Sequence, residues 1–243
     1  MRLFGLIGYP LGHSFSKRYF SQKFLDEGIA DCHYELFPLE SIAELPRLLA
    51  EHPGLCGLNV TIPYKEQIIP YLDHPGEVAA IGACNCIDIR HGKLYGYNTD
   101  VIGFRDTFMP ALKPWHTSAL VLGTGGASKA VAHVLDRAGI AFRYVSRNPA
   151  APGVLSYADL TPALLNSYTI IINCSPVGTF PNVDEAPELP YDALSSRHYL
   201  YDLVYNPEKT RFLREGERRG AIIRNGYDML RLQAEAAWEL WNM

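Results

Sequence analysis

The stretch VLGTGGASKA, residues 121–130, follows the apolar run SAL and leads into VAHVLDRAG, so a buried strand turns through glycines into a helix. That is the context a dinucleotide-binding loop requires. Gly123 permits the tight turn, Gly125 lets the backbone approach a pyrophosphate, and the helix start beyond supplies N–H groups and a favourable dipole. Ser128 stands where the full G-x-G-x-x-G pattern has its third glycine, and glycines at strand-to-helix turns are often purely structural. The loop by itself leaves both readings open.

The next strand carries more information. A site for NAD places Asp or Glu about twenty residues beyond the loop, on the ribose 2′-hydroxyl, whereas a 2′-phosphate needs a cation there. Here the strand ends YVSRNP, with Ser146, Arg147 and Asn148 and no carboxylate. Arg147 can pair a phosphate bidentately, while Ser146 and Asn148 can add hydrogen bonds.

Outward from the loop, the chain from about Thr117 alternates short apolar strands with helical segments: SALVLG, SKAVAHVLDRAG, FRYVS, Asp159 to Asn166, TIIINC, YLYDLV, EKTRFLREGERRG and AIIR. This predicts a parallel sheet covered on both faces. The first hundred residues read differently: LFGLIGY, a helix from Ser14 towards Gly28, HYELFPL, a helix around SIAELPRLLAEH with capping-box spacing at Ser41 and Glu44, then LCGLNVTI and a short helical region after Pro63. ACNCIDI and KLYGYNT flank a His91-Gly92 turn, which predicts a small α/β lobe closed by a hairpin. GYDMLRLQAEAAWELW reads as a final amphipathic helix, and Pro110 to His116 as the linker.

Composition narrows the function classes. The 243 residues permit one large α/β domain or two smaller ones, and 22 basic against 26 acidic residues leave a formal net charge of −4 with no long run of either sign. Neither nucleic acid nor a membrane surface is expected as the main partner. No apolar run is long enough to span a bilayer, and the opening MRLFGLIGYPLGHS does not read as a signal peptide, so a soluble cytoplasmic protein is expected. Five sparse cysteines suit a reducing compartment, and Cys84-Asn85-Cys86, without a second pair or a nearby histidine, reads as buried thiols and no metal site.

GLNVTIPYKE, residues 57–66, alternates like a strand and then ends on a lysine after Pro63. A lysine there is ordinarily a solvated cation protecting an edge. Taken with GYPLGHSFS, the NC that follows GA, GYNTDVIGF, VLGTGGASKA, SRN, NCSPVG, YDLVYNPEKT and GYDMLRLQ, it gives the chain another reading, because these motifs in this order resemble the shikimate dehydrogenases along nearly the whole length.

The resemblance implies an N-terminal α/β substrate lobe, residues 1–101 with a last helix over 226–243 returning to it, and a Rossmann-like NADP-binding lobe, residues 102–225. It implies reversible NADPH-dependent reduction of 3-dehydroshikimate to shikimate, a step of aromatic amino acid biosynthesis, by a monomer or homodimer that needs no metal. Carried over residue by residue, Ser14 and Ser16 would hold the substrate carboxylate, Asn59, Thr61, Asn85 and Asp100 the ring hydroxyls, and Tyr205 and Gln233 would close the site. Lys65 and Asp100 would be the proton-transfer pair. Gly123, Gly125, Gly126, Ala127 and Ser128 would cradle the phosphates, Ser146 and Arg147 would take the 2′-phosphate, and Ser175, Leu203 and Gly226 would line the adenosine and nicotinamide ends. Lys17, Cys86, Ser146 and Thr179 depart from the family's usual proline, threonine, asparagine and methionine. A dehydrogenase that also accepts quinate or NAD is the nearest alternative. A non-catalytic sensor of shikimate or NADP is the alternative from another class, and the proton-transfer pair speaks against it.

Overall fold

The computed structural model describes every residue except His13 and Ala150. The chain forms two compact units, Met1–Thr99 with Ala234–Met243, and Asp100–Gln233.

The first unit is a five-stranded mixed sheet. Strands β1 (Arg2–Gly8), β2 (Cys32–Pro38), β3 (Leu55–Val60), β4 (Cys86–Arg90) and β5 (Lys93–Tyr97) lie in the order β2-β1-β3-β4-β5, the first three parallel and the last two antiparallel. The expected hairpin turn forms, with positive φ at both His91 (51°) and Gly92 (71°), as a two-residue type I′ turn demands. Helix α1 (Phe15–Asp26) is capped by Ser14, whose hydroxyl oxygen accepts from the Lys17 N–H at 3.4 Å.

The Ser41 capping box also forms, but it opens a 3₁₀ turn over Ile42–Glu44 that passes into α2 (Leu45–Glu51) with Pro46 in its first turn. After Pro63 the chain makes successive turns that end in a 3₁₀ turn at Ile69–Tyr71, and a short α3 (Val78–Ile81) follows.

One face of this sheet is an aliphatic core that includes Ile7, Leu45, Leu58, Ile68 and Ile87. The other is aromatic: Phe4, Phe20, Phe24, Tyr34 and Trp241. The last ten residues belong to this unit. Gly57 is where they dock, because a Cβ there would collide with the Trp241 indole, whose N–H donates to the Ile87 carbonyl at 3.0 Å.

The second unit is a fully parallel sheet. Strands β6 (Ser118–Leu122), β7 (Ala141–Val145), β8 (Ile170–Asn173), β9 (Tyr199–Asp202) and β10 (Ile222–Arg224) take the order β10-β9-β8-β6-β7. Its helices are α4 (Thr99–Phe108, begun at the last residue of the first unit), α5 (Gly126–Arg137), α6 (Pro162–Ser167), α7 (Arg211–Arg218) and α8 (Tyr227–Leu240, whose last turns belong to the first unit). Val121 and Tyr201 point into one core with Phe104 and Phe108, while Leu120, Leu122 and Leu200 point into another with Phe212. Burial on both faces explains the unbroken apolar runs of the sequence.

The sheet grows outward in opposite directions from β6 and β8, so the crevice at their carboxyl ends is the topological switch point. The stretch Pro110 to His116, expected to link two domains, lies inside this unit. His116 is buried there, its Nδ1 accepting from the Lys113 N–H and its Nε2–H donating to the Arg197 carbonyl, each at 3.0 Å. The prolines mark a turn, and the chain passes between units at Thr99 and Asp100.

Candidate functional site

At the switch point the glycine loop is shaped by what it touches. Gly123 has φ 110°, and a Cβ there would meet the backbone of Cys174 and Ser175 at 3.4 Å. The Gly123 N–H donates to the Val145 carbonyl at 2.8 Å, which draws the loop against the end of β7. Gly125 opens α5, a Cβ there would meet nothing within 4 Å, and no side chain among the described residues caps the helix start. Gly126 and Ala127, the first helical residues, are half-buried.

Ser128 is buried, its hydroxyl donating to the Gly125 carbonyl at 2.7 Å; it closes the turn through its own side chain. Arg147 stands exposed just beyond β7, and the Ser146 hydroxyl oxygen accepts from the Asn148 N–H at 3.2 Å. Open backbone, an uncapped helix of twelve residues and an exposed guanidinium with no carboxylate at the strand end fit a dinucleotide that carries a 2′-phosphate.

Across the switch point, Asn173 and Asp202 are register partners at the ends of β8 and β9, both fully buried. The Asn173 amide donates to Asp202 Oδ1 at 3.0 Å, while Asn173 Oδ1 accepts from the Ser175 N–H and hydroxyl at 3.1 and 2.6 Å. Asp202 also accepts from the Val204 N–H at 3.0 Å and the Thr210 hydroxyl at 2.6 Å. Burial outweighs these bonds and pushes its carboxyl up to about 7. Ser175 and Leu203, whose N–H donates to the Asn173 carbonyl at 2.9 Å, are thus set by two residues that the sequence reading passed over. The signal was present in NCSPVG and YDLV, as polar residues closing apolar strands. Gly226 packs so closely on Leu203 that a Cβ would strike its carbonyl oxygen.

In the first unit the polar candidates gather at the carboxyl ends of β1 and β3. The Thr61 N–H donates to the Ile7 carbonyl at 2.9 Å, the Val60 N–H to Asn85 at 2.9 Å, and the Cys84 N–H to Lys65 at 2.7 Å. Asn59, Thr61, Lys65 and Asn85 therefore share one end of one sheet. Lys65 is half-buried, unlike a solvated edge cation. Asn85 accepts through Oδ1 from the Thr99 N–H at 2.7 Å, which fastens the first residue of α4 to this group; Asp100, the next residue, is buried in the helix's first turn.

Ser14 and Ser16 lie half-buried at the start of α1. The capping bond uses a lone pair of Ser14 and leaves its O–H able to donate. In the second unit Tyr205 is half-buried, and Gln233 is buried, its amide donating to the Leu230 carbonyl at 2.9 Å.

The departures have local partners. Lys17 reaches Glu35 at 2.5 Å and holds its carboxyl below the usual range. Cys86 is buried in the aromatic core, and the Thr179 hydroxyl donates to the Asn206 carbonyl at 3.3 Å. No group of three potential metal ligands occurs among the described residues, and no helix is long and apolar enough to cross a membrane.

Residues 6–87 match the model of the shikimate dehydrogenase substrate-binding domain. A shikimate dehydrogenase (NADP(+)) of Halothermothrix orenii is 37% identical, the alignment covering 98% of this chain and 89% of that one. The solved shikimate 5-dehydrogenase of Thermus thermophilus, in complex with NADP(H) and shikimate, superposes with a TM-score of 0.86 at 31% identity, over 99% of this chain and 93% of that one. The quinate dehydrogenase of Corynebacterium glutamicum, in complex with NAD, has the same TM-score at 26% identity and the same coverage.

Proposed function

The chain belongs to the shikimate dehydrogenase family, and on that footing we propose how its own residues perform the reaction. It is an NADP-dependent oxidoreductase that interconverts shikimate and 3-dehydroshikimate. Residues 1–101 with 226–243 take the substrate, and 102–225 take the cofactor; the enzyme works in the cytoplasm.

The cofactor, when bound, supplies or accepts the hydride. The chain's task is the proton at the reacting oxygen. In the reductive direction that oxygen gains negative charge; the Lys65 ammonium hydrogen-bonds it and then gives it a proton. In the oxidative direction the Lys65 amine takes the hydroxyl proton. Asp100 is proposed as the second member of the pair, accepting a hydrogen bond from the same hydroxyl and orienting it for the transfer. Asn59, Thr61 and Asn85 fix the ring hydroxyls, Ser14 and Ser16 donate to the carboxylate, and Tyr205 and Gln233 close on the substrate.

Arg147 pairs the 2′-phosphate, with Ser146 beside it. Gly123, Gly125, Gly126 and Ala127 offer backbone to the pyrophosphate, while Ser175, Leu203 and Gly226 flank the adenosine and nicotinamide ends. The observation that carries this reading is Lys65, half-buried and tied by its carbonyl to Cys84 beside Asn85. Absorbance of the reduced cofactor, followed with shikimate or quinate and with NADP or NAD in all four combinations, tests it. Turnover is expected with shikimate and NADP, and an inert protein in all four would overturn it.

A further inference from the structure

Tyr34 carries a buried hydroxyl that the proposed reaction does not use. It lies on β2, 1% exposed, with its ring stacked on Phe20 at a centroid distance of 4.7 Å. In the sheet register Phe4 of β1 stands between Tyr34 on β2 and Gly57 on β3, and Asn59 is two residues further along β3. The phenol thus reaches across a whole strand, and its O–H donates to Asn59 Oδ1 at 2.7 Å. Phenylalanine would fill the same space and leave that oxygen unmet.

The orientation of an asparagine amide is poorly fixed by its own torsion, whose wells are broad and two-fold. Here two contacts fix it. Asn59 Nδ2 faces the backbone carbonyl of Asn85 at 3.4 Å, and a carbonyl can only accept. Oδ1 must then face Tyr34, whose phenol burial holds well above its ordinary range, so that it remains a donor. One amide N–H is left for a ligand.

We propose that Tyr34 is a positioning residue for substrate recognition, holding the Asn59 amide so that it presents an N–H donor to a ring hydroxyl of shikimate, which must accept. Tyr34 also joins the two halves of the substrate group. Phe20, four residues after Ser16 and on the same face of α1, is the ring on which Tyr34 stacks. The helix that carries the carboxylate-binding serines is therefore held in step with Asn59.

This rests on Asn59 being a substrate ligand, and the test separates the two claims. Shikimate Kd is measured by calorimetry for the wild type, Tyr34→Phe, Asn59→Ala and the double variant, with NADP Kd and thermal unfolding alongside. Tyr34→Phe is expected to weaken shikimate about tenfold, the scale of one buried hydrogen bond, with NADP affinity unchanged and no further effect once Asn59 is alanine. If Asn59→Ala weakens shikimate and Tyr34→Phe does not, or if the two losses add, the positioning role is overturned. Equal loss for both ligands with a lowered Tm marks a purely structural residue and overturns it as well. If Asn59→Ala leaves shikimate binding intact, the ligand assignment itself fails and takes the proposal with it.

Discussion

Asn173 and Asp202 face each other at the carboxyl ends of adjacent strands, the amide donating to the carboxylate at 3.0 Å with neither side chain exposed. Through them the loop that bears Ser175 and the loop that bears Leu203 are set as one body. Such a carboxyl can be neutral or charged near neutrality, because burial has pushed it up to about 7.

The sign of the consequence follows from linkage. A carboxyl whose folded value lies above its unfolded one, here about 7 against 3.8, contributes stability that is fully present below the unfolded value. That stability is lost as pH rises through the folded value. Three units correspond to roughly 4 kcal/mol at most. Asp202→Asn mimics the neutral form, so wild type and variant should keep a constant stability difference below about pH 4. Between about pH 4 and 7 the wild type should fall steadily behind. Urea unfolding across that range measures it, and a difference that does not change with pH would mean that Asp202 is held charged.

Arg147 stands exposed at the end of β7, in a strand end that holds no carboxylate. Arg147→Ala should weaken NADP by about ten- to a hundredfold, the worth of one charge-assisted pair, and change NAD little, since NAD lacks the 2′-phosphate. The wild type should prefer NADP. Equal losses for the two cofactors would remove Arg147 from the phosphate site.

The parallel sheet was legible because burial on both faces writes short apolar runs, as in TIIINC, and the hairpin because His91-Gly92 permits positive φ twice. The glycine loop was legible for a similar reason: it carries its own backbone chemistry. Tyr34 was not, and Asp202 was legible only as a polar residue closing an apolar strand. Their roles depend on a partner supplied by tertiary register, Asn59 across β1 and Asn173 across the β8–β9 pair, and no local pattern marks such a partner. The prolines of Pro110 to His116 misled for the converse reason: a helix-breaking signal is the same whether the turn lies within a domain or between two.

Gly57 should be intolerant of any side chain. A methyl group there would run into the Trp241 indole, which is buried, stacked on Phe4 at 4.7 Å and hydrogen-bonded to Ile87. Overpacking of this kind costs about 1–3 kcal/mol. Gly57→Ala should lower Tm and raise the tryptophan emission wavelength as the last helix loosens. An unchanged Tm would show that the indole can yield.

The half-buried Lys65 decides between a dehydrogenase and a silent binding protein. If its ammonium donates the proton to the reacting oxygen, Lys65→Ala should lower turnover about a hundredfold to ten-thousandfold, the usual range for general acid–base help. Shikimate should still bind within a modest factor, because Ser14, Ser16, Asn59, Thr61 and Asn85 remain. Lys65→Met keeps the stem and drops the charge, so it should behave like Lys65→Ala, which separates proton transfer from packing. Turnover measured beside calorimetric shikimate affinity distinguishes the outcomes. Near-normal turnover in both variants would return Lys65 to the role of a surface cation, whereas lost turnover with retained affinity places the proton on its Nζ.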